Sequence, residues 1–311
     1  MAHHQLKHVL STKQFLNKRL LANLFRTADE LARKDKTGRL HKILTGKILA
    51  SVFYEPSTRT RFSFEAAMLK LGGTVITTES ASHFSSVIKG ESLPDTIKII
   101  SGYVDVIVLR HHEEGSAQIA AEASSVPIIN AGDGSGEHPT QALLDLYTLK
   151  KELGRTDKLK IALIGDLLYG RTIHSLLNLL MLYKNTKIYL VSPPQLRLPA
   201  KYKSQLKQNG IYFEETSDLY KNLDEMDVLY VTRIQKERFG NLRQYEKLKG
   251  SYVINKVALK RLKRHAIIMH PLPRVKEVAA EVDDDPRAAY FRQARNGLYI
   301  RMALLDLIIK K

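Results

Sequence analysis

At 311 residues, 44 % hydrophobic and 26 % charged, the chain has room for two domains of ordinary size and reads as soluble and globular. The absence of cysteine excludes disulfides, thiolate catalysis and Cys-ligated zinc, and the eleven histidines show no H-E-x-x-H spacing, so neither a metal nor a cofactor is expected. The net charge of +17 is concentrated in residues 1–47 (eleven Lys or Arg against three acids) and 235–264 (ten against two), without interleaved aromatics or a zinc-finger or RNA-binding signature. A solvated basic surface is expected from this, and nucleic acid is not an expected partner. No apolar run approaches the roughly 18 to 20 residues that cross a bilayer, and residues 1–9 lack the apolar core of a signal peptide. No membrane association is expected, and the cytoplasm is the expected compartment.

Residues 11–34 carry Phe15, Leu20, Leu24 and Leu31 in an apolar pattern and open on Ser11 followed by Gln14, a capping box, which predicts one long amphipathic helix. After a linker with Gly38 and Gly46, the pattern alternates. Strands are expected at 47–53, 73–78, 105–110 and 126–130, helices at 58–71, 92–102 and 115–124, and a loop at 79–91. Residues 138–154 read as a helix leading out of this unit. The alternation restarts with strands at 159–165, 187–192, 211–214, 227–232 and 266–270, and with helices at 171–184, 200–209 and within 241–263. A final amphipathic helix is expected over 286–309. Strand-helix alternation implies parallel sheets covered on both faces. The fold class is therefore α/β, with two doubly wound parallel-sheet domains over 1–135 and 150–285, the C-terminal helix 286–311 packing back on the first.

In open parallel sheets ligands bind beyond the carboxyl ends of the strands, and the chemistry-bearing residues fall there. After the first strand, Ser57-Thr58-Arg59-Thr60-Arg61 sets hydroxyls and guanidiniums at a helix start, beside free N–H groups and the positive end of the helix dipole. Those groups suit a phosphate dianion. No Gly-rich P-loop and no G-x-G-x-x-G is present, which argues against a nucleotide cradle. Arg110 ends the third strand, and His138 precedes Pro139 at a helix start. With Thr60 they can polarise a carbonyl, as an oxyanion hole does. The bland alternatives are a capped helix, a surface arginine and a capping histidine. Residues 85–91, with Ser85 and Lys89, form a polar loop long enough to be a lid or simply a solvated loop. Arg171 and Arg233 lie in separate turns and suit two carboxylates. His270-Pro271-Leu272-Pro273-Arg274 is a rigid turn whose carbonyls can accept from an incoming amine, and one of its X-Pro bonds is a candidate for the cis form.

Over nearly its whole length this set resembles the aspartate/ornithine carbamoyltransferase family, on the side of its aspartate catalytic chains. Ser57-Thr58-Arg59-Thr60-Arg61 matches the carbamoyl-phosphate motif. His270-Pro271-Leu272-Pro273 stands where ornithine enzymes typically read H-C-L-P, Thr232 to Arg238 replaces their S-M-G motif, and Lys89 is a lid residue they lack. The resemblance implies that Ser57, Thr58, Arg59, Thr60, Arg110, His138 and Gln141 hold carbamoyl phosphate and that Arg171, Arg233 and Gln235 hold L-aspartate. It implies that Ser85 and Lys89 enter from a neighbouring subunit of a homotrimer. It makes the first domain the carbamoyl-phosphate-binding one and the second the aspartate-binding one. Arg59, Thr60, Lys89, Arg110 and His138 are the expected catalytic groups, and Leu272 an expected substrate contact. A regulatory chain is compatible with it. Leu168 stands where bacterial relatives often have Lys, a departure that leaves the binding pocket intact and weakens the expectation of charge-mediated contacts between trimers. The rival readings are transfer to another amino acid such as ornithine, and a basic nucleic-acid-binding α/β protein.

Overall fold

The computed structural model describes residues 6–40, 42–79, 90–236, 239 and 242–310. The chain divides into two compact units, unit 1 comprising residues 1–144 with 295–311 and unit 2 residues 145–294. Each is an α/β layer structure around a wholly parallel sheet, as the strand-helix alternation predicts.

In unit 1, β1 (Ile48–Phe53), β2 (Thr74–Glu79), β3 (Val106–His111) and β4 (Ile128–Asp133) run in the spatial order β2-β1-β3-β4. Their registers are Ala50 opposite Ile76 and Ile107, and Val108 opposite Ile129. The strands form because short apolar, largely β-branched runs must bury both faces. Leu49, Phe53, Ile107, Val108, Ile128 and Ile129 are fully buried. Each such side chain contributes roughly 1.5–3 kcal/mol on leaving water. Among the described residues, α1 (Lys18–Lys36), α2 (Thr58–Lys70), α3 (Leu93–Ser101) and α4 (Ser116–Ala123) accompany this sheet. Helix α5 (Pro139–Leu153) then carries the chain from unit 1 into unit 2.

The N-terminal helix is not the single one expected. The Ser11–Gln14 capping box is present, but it starts a four-residue 3-10 turn, Thr12–Phe15. Asn17, in an extended conformation, then caps a new helix, its Oδ1 accepting from the N–H groups of Arg19 (2.9 Å) and Leu20 (3.1 Å). A second capping residue inside an unbroken apolar pattern wins over periodicity, because Asn satisfies two otherwise orphaned amides. From Asn17 onward the stripe Leu21, Leu24, Phe25, Ala28 and Leu31 is buried at helical spacing.

Unit 2 contains β5 (Lys160–Ile164), α6 (Arg171–Leu180), β6 (Lys187–Val191), α7 (Ala200–Gln208), β7 (Tyr212–Thr216) and β8 (Val228–Val231). There follow α8 (Leu242–Leu248), α9 (Lys256–Arg261), β9 (Ile267–Met269) and the start of α10 (Tyr290–Ile309). The strand order is β7-β6-β5-β8-β9. Helix α10 begins four residues later than expected because residues 287–289 pair with β9 instead. Ile268 N–H donates to Arg287 O and Ala289 N–H to Ile268 O, both at 2.8 Å. The rest of α10 packs on unit 1, where Tyr299 OH donates to Asp35 Oδ2 at 3.2 Å and the Arg301 guanidinium lies over the Phe64 ring at 5.1 Å. Among the described residues no helix is long and apolar enough to cross a membrane.

Candidate active site

In unit 1 the strand order reverses at β1, which lies between β2 and β3, and a parallel sheet opens a crevice at the carboxyl ends of such strands. The chain leaves β1 through Tyr54 to Pro56 and enters α2 at Ser57. Ser57 is the N-cap, yet its hydroxyl makes no capping hydrogen bond, and no acid lies in the first turn. The positive end of α2 is thus balanced by neither a side-chain cap nor a carboxylate from its own first turn. Thr58 and Arg59 are exposed there and Thr60 is buried.

Arg110 stands at the end of β3, its Nε 3.3 Å from Glu55 Oε2. Burial pushes the Arg110 guanidinium pKa down, Glu55 opposes the fall, and the charge of Arg59 adds to it. Two guanidiniums that sense each other beside an uncapped helix start make a place where an anion is stabilised.

The turn after β4 delivers His138. Asp133 Oδ1 accepts from Asn130 Nδ2 and from Glu137 N–H, both at 3.0 Å, and Gly132 N–H donates to Asn130 Oδ1 at 2.7 Å. Gly134, at φ +49°, lies where a Cβ would come within 2.6 Å of His112 O, so only glycine fits. Glu137 is fixed by Ser11 Oγ (2.6 Å) and by the main chain (2.7 Å) and hydroxyl (2.5 Å) of Thr12. His138 O then accepts from Gln141 N–H at 3.0 Å and Ala142 N–H at 3.2 Å, opening α5 with His138 and Gln141 both buried. Unit 1 therefore carries Ser57 to Thr60, Arg110, His138 and Gln141 at the carboxyl edge of one sheet.

In unit 2 the order reverses at β5, between β6 and β8. Fully buried Asp166 follows β5; its N–H donates to Thr232 Oγ1 at 3.2 Å and its Oδ1 accepts from Tyr169 N–H at 2.9 Å. Burial raises its pKa against the hydrogen bonds it receives from Tyr169, from the main chain of Leu168 and from the main chain and side chain of Gln235. Gly165, at φ +114°, would carry a Cβ 2.2 Å from Thr232 O, so the β5 and β8 turns can approach only through glycine. Arg171 is the first residue of α6, half-exposed, with its N–H bonded to Tyr169 O at 2.8 Å. His174, one turn on, approaches Leu167 O with Nε2 at 2.9 Å and stacks on Tyr202 with ring centroids 4.2 Å apart.

Burial pushes the pKa of His270 at the end of β9 down, Glu277 opposes the fall, and the charges of Arg274 and of Arg233, just past β8, add to it. Leu272 has φ +57° and precedes a cis bond to Pro273, the isomer foreseen for this turn. Unit 2 thus gathers Gln235, Arg233 and Leu272 at the ends of β8 and β9, with Arg171 opening the helix after β5. Ser85 and Lys89 lie outside the described residues.

Two family profiles cover almost the whole chain. The aspartate/ornithine carbamoyltransferase carbamoyl-P binding domain matches residues 7–151, and the Asp/Orn binding domain of the same enzymes matches residues 157–308. The chain belongs to the aspartate/ornithine carbamoyltransferase family. The aspartate carbamoyltransferase catalytic subunit of Methanocaldococcus jannaschii is 54 % identical over 305 residues, covering 98 % of each chain. Aspartate carbamoyltransferase 2, chloroplastic, of Pisum sativum is 52 % identical over 306 residues, 98 % of this chain and 79 % of the plant protein. Among solved structures, the M. jannaschii catalytic subunit superposes with a TM-score of 0.91 at 53 % identity over 98 % of both chains. Trypanosoma cruzi aspartate transcarbamoylase, in complex with carbamoyl phosphate and aspartate, gives 0.91 at 40 % identity over 97 % of this chain and 96 % of that one.

Within this carbamoyltransferase fold, four acids next to the candidate residues escaped the sequence reading: Glu55 on Arg110, Glu137 before His138, Asp166 on Gln235 and Glu277 on His270. Glu55 carried a usable signal, an acid directly before Pro56 at a strand end. The partners of the others are distant in sequence or outside any motif.

Proposed function

We propose that the chain transfers the carbamoyl group of carbamoyl phosphate to the amine of L-aspartate, giving N-carbamoyl-L-aspartate and phosphate, a step of pyrimidine biosynthesis. The observation that carries the choice of aspartate is the charge at the ends of β5, β8 and β9. Arg233 and Gln235 stand there and Arg171 opens the next helix, while among the described residues the acids at those turns, Asp166 and Glu277, are engaged by Gln235 and His270. Two guanidiniums suit a dicarboxylate. Ornithine would bring an ammonium to a cationic site, and like charges in a partly desolvated site repel.

In this reading carbamoyl phosphate lies on the α2 start and Arg110. Thr60, Arg110 and His138 stabilise the oxyanion that forms when the aspartate nitrogen attacks the carbonyl carbon. The C–O bond to phosphate breaks, and the departing phosphate takes the proton from nitrogen. Arg59 neutralises that phosphate, together with Lys89 from a neighbouring subunit of a homotrimer, whose Ser85 enters with it. No covalent enzyme intermediate is needed, because holding the two reactants together supplies much of the acceleration. The compartment we propose is the cytoplasm, in keeping with a cysteine-free chain.

The test is carbamoylaspartate formation by the purified chain, with ornithine as the competing acceptor and the mass in solution measured alongside. Transfer to aspartate, none to ornithine and a trimeric mass are expected. Transfer to ornithine at a comparable rate would overturn the specificity, and a fully active monomer would overturn the shared site.

A further inference from the structure

The turn after β9 is held by two side chains that have no part in the reaction as described above. His270 is buried to 1 % side-chain exposure, and its Nδ1 lies 2.8 Å from the N–H of Leu272 and accepts from it. That acceptance leaves the ring proton on Nε2, which donates to Glu277 Oε1 at 2.9 Å. Glu277 in turn accepts from the N–H groups of Val275 (3.2 Å) and Lys276 (3.0 Å). One carboxylate and one imidazole thus fix three main-chain amides within five residues. The anchor beneath them is equally defined. His270 N–H donates to Gln293 Oε1 at 2.8 Å, and Gln293 Nε2 and Tyr230 OH each reach the fully buried Asp145 at 2.7 Å. Leu272 itself sits at φ +57°, a region that residues with side chains seldom occupy, so its peptide orientation is imposed by these partners.

We propose that His270 and Glu277 are a positioning pair for carbamoyl transfer. They touch neither substrate, and by holding the Leu272 N–H and the amides of Val275 and Lys276 on either side they fix the backbone of Leu272, so that its carbonyl, in the next peptide unit, is aimed at the reacting amine. The inference rests on the carbamoyl transfer proposed above and on the substrate contact that the family resemblance implies for Leu272. Loosening either member lets the carbonyl drift, and in a near-attack arrangement a displacement of about 1 Å costs roughly a hundredfold in rate.

The experiment uses the full chain with Glu277→Gln, His270→Asn and both together. Each is assayed for carbamoylaspartate formation at varied aspartate and saturating carbamoyl phosphate, and each is melted under the assay buffer. In Glu277→Gln the one remaining carbonyl oxygen can keep the imidazole and Val275 N–H, as Glu277 Oε1 does, but then presents an NH2 donor to Lys276 N–H, and with the amide turned the other way it loses the imidazole. His270→Asn offers Leu272 an acceptor and is too short to reach Glu277. Each single change is expected to lower kcat and kcat/KM together by about 10- to 100-fold in protein that is fully folded at the assay temperature. The double variant is expected to be no worse than the poorer single one, since the pair acts as a unit. Values of kcat within about threefold of wild type in folded protein, or losses that multiply in the double variant, would overturn the proposal. A purely structural pair would lower the melting temperature and leave kcat of the folded enzyme intact. If His270→Asn does not fold, Glu277→Gln, which preserves shape, decides by the same criterion. A wild-type chain that fails to carbamoylate aspartate would instead overturn the functional reading, so the two failures are distinguishable.

Discussion

Replacing His174 by Gln should make the protein more tolerant of acid. The His174 ring is buried, holds Leu167 O through Nε2 and stacks on Tyr202. Burial pushes its pKa from 6.5 down to about 4, the hydrogen bond to Leu167 opposes that fall, and nearby Lys201 adds to it. The unfolded chain therefore takes up the proton first as the pH falls. Stability owed to the neutral ring is complete above pH 6.5 and is lost progressively down to about pH 4. The full gap corresponds to about 3 kcal/mol, of which about 2 kcal/mol is lost between pH 7 and pH 5. His174→Gln keeps a donor for Leu167 O and cannot titrate. For a domain of this size about 2 kcal/mol is roughly 4–8 °C in Tm. Melting curves at pH 7 and pH 5 should show wild type losing that much more than the variant. Other depressed histidines, such as His111 and His270, titrate in both proteins and cancel in the difference. Equal losses in the two proteins would refute the buried neutral ring.

Arg59→Ala should cut turnover by several orders of magnitude, since a donor to a developing anion in a dry site contributes roughly 3–4 kcal/mol; a variant retaining more than about a tenth of wild-type kcat would remove Arg59 from the chemistry. Lys89→Ala and Arg59→Ala chains, each nearly inactive, should regain activity when unfolded and refolded together, because mixed oligomers contain some sites that carry neither change. Mixed oligomers without activity would place Lys89 in its own subunit's site or in none. Arg233→Ala should raise KM for aspartate strongly and leave carbamoyl phosphate binding, followed by calorimetry, little changed; equal loss of both would undo the division of substrates between the units. Gly165→Ala should force Thr232 away and disturb the turn bearing Arg233 and Gln235, lowering Tm as well as aspartate affinity. A variant melting like wild type would show that the approach to Thr232 relaxes without cost.

The architecture was legible because each strand is a short apolar run bounded by polar turns, and a strand buried on both faces must read that way. The same alternation puts Ser57 to Thr60, Arg110, His138 and Arg233 just beyond the carboxyl ends of strands, which is where they lie. What the sequence hid follows from distance and geometry. Asp166 and Gln235 are far apart in the chain, and their contact depends on glycine at 165, whose purpose shows only when Thr232 is placed beside it. Glu277 carries no signal in the sequence, since nothing in one dimension brings it to the His270 ring. Asn17 lay within an apolar pattern that continues past it, so the break between the 3-10 turn and α1 was masked by periodicity.

The segment before α1 has a timing problem. Val9 lies parallel to Ile129, its N–H donating to Ile128 O and its carbonyl accepting from Asn130 N–H, both at 2.8 Å, while Ser11 and Thr12 hold Glu137 beside His138. Thr12 and Ser11 stand 125 and 126 residues before Glu137. A ribosome adding roughly 5–20 residues per second makes β4 about 6–25 s after it makes Val9. Through that interval Val9 to Thr12 have no edge to join, and the turn that carries His138 can take its final form only after this earlier-made segment docks against it.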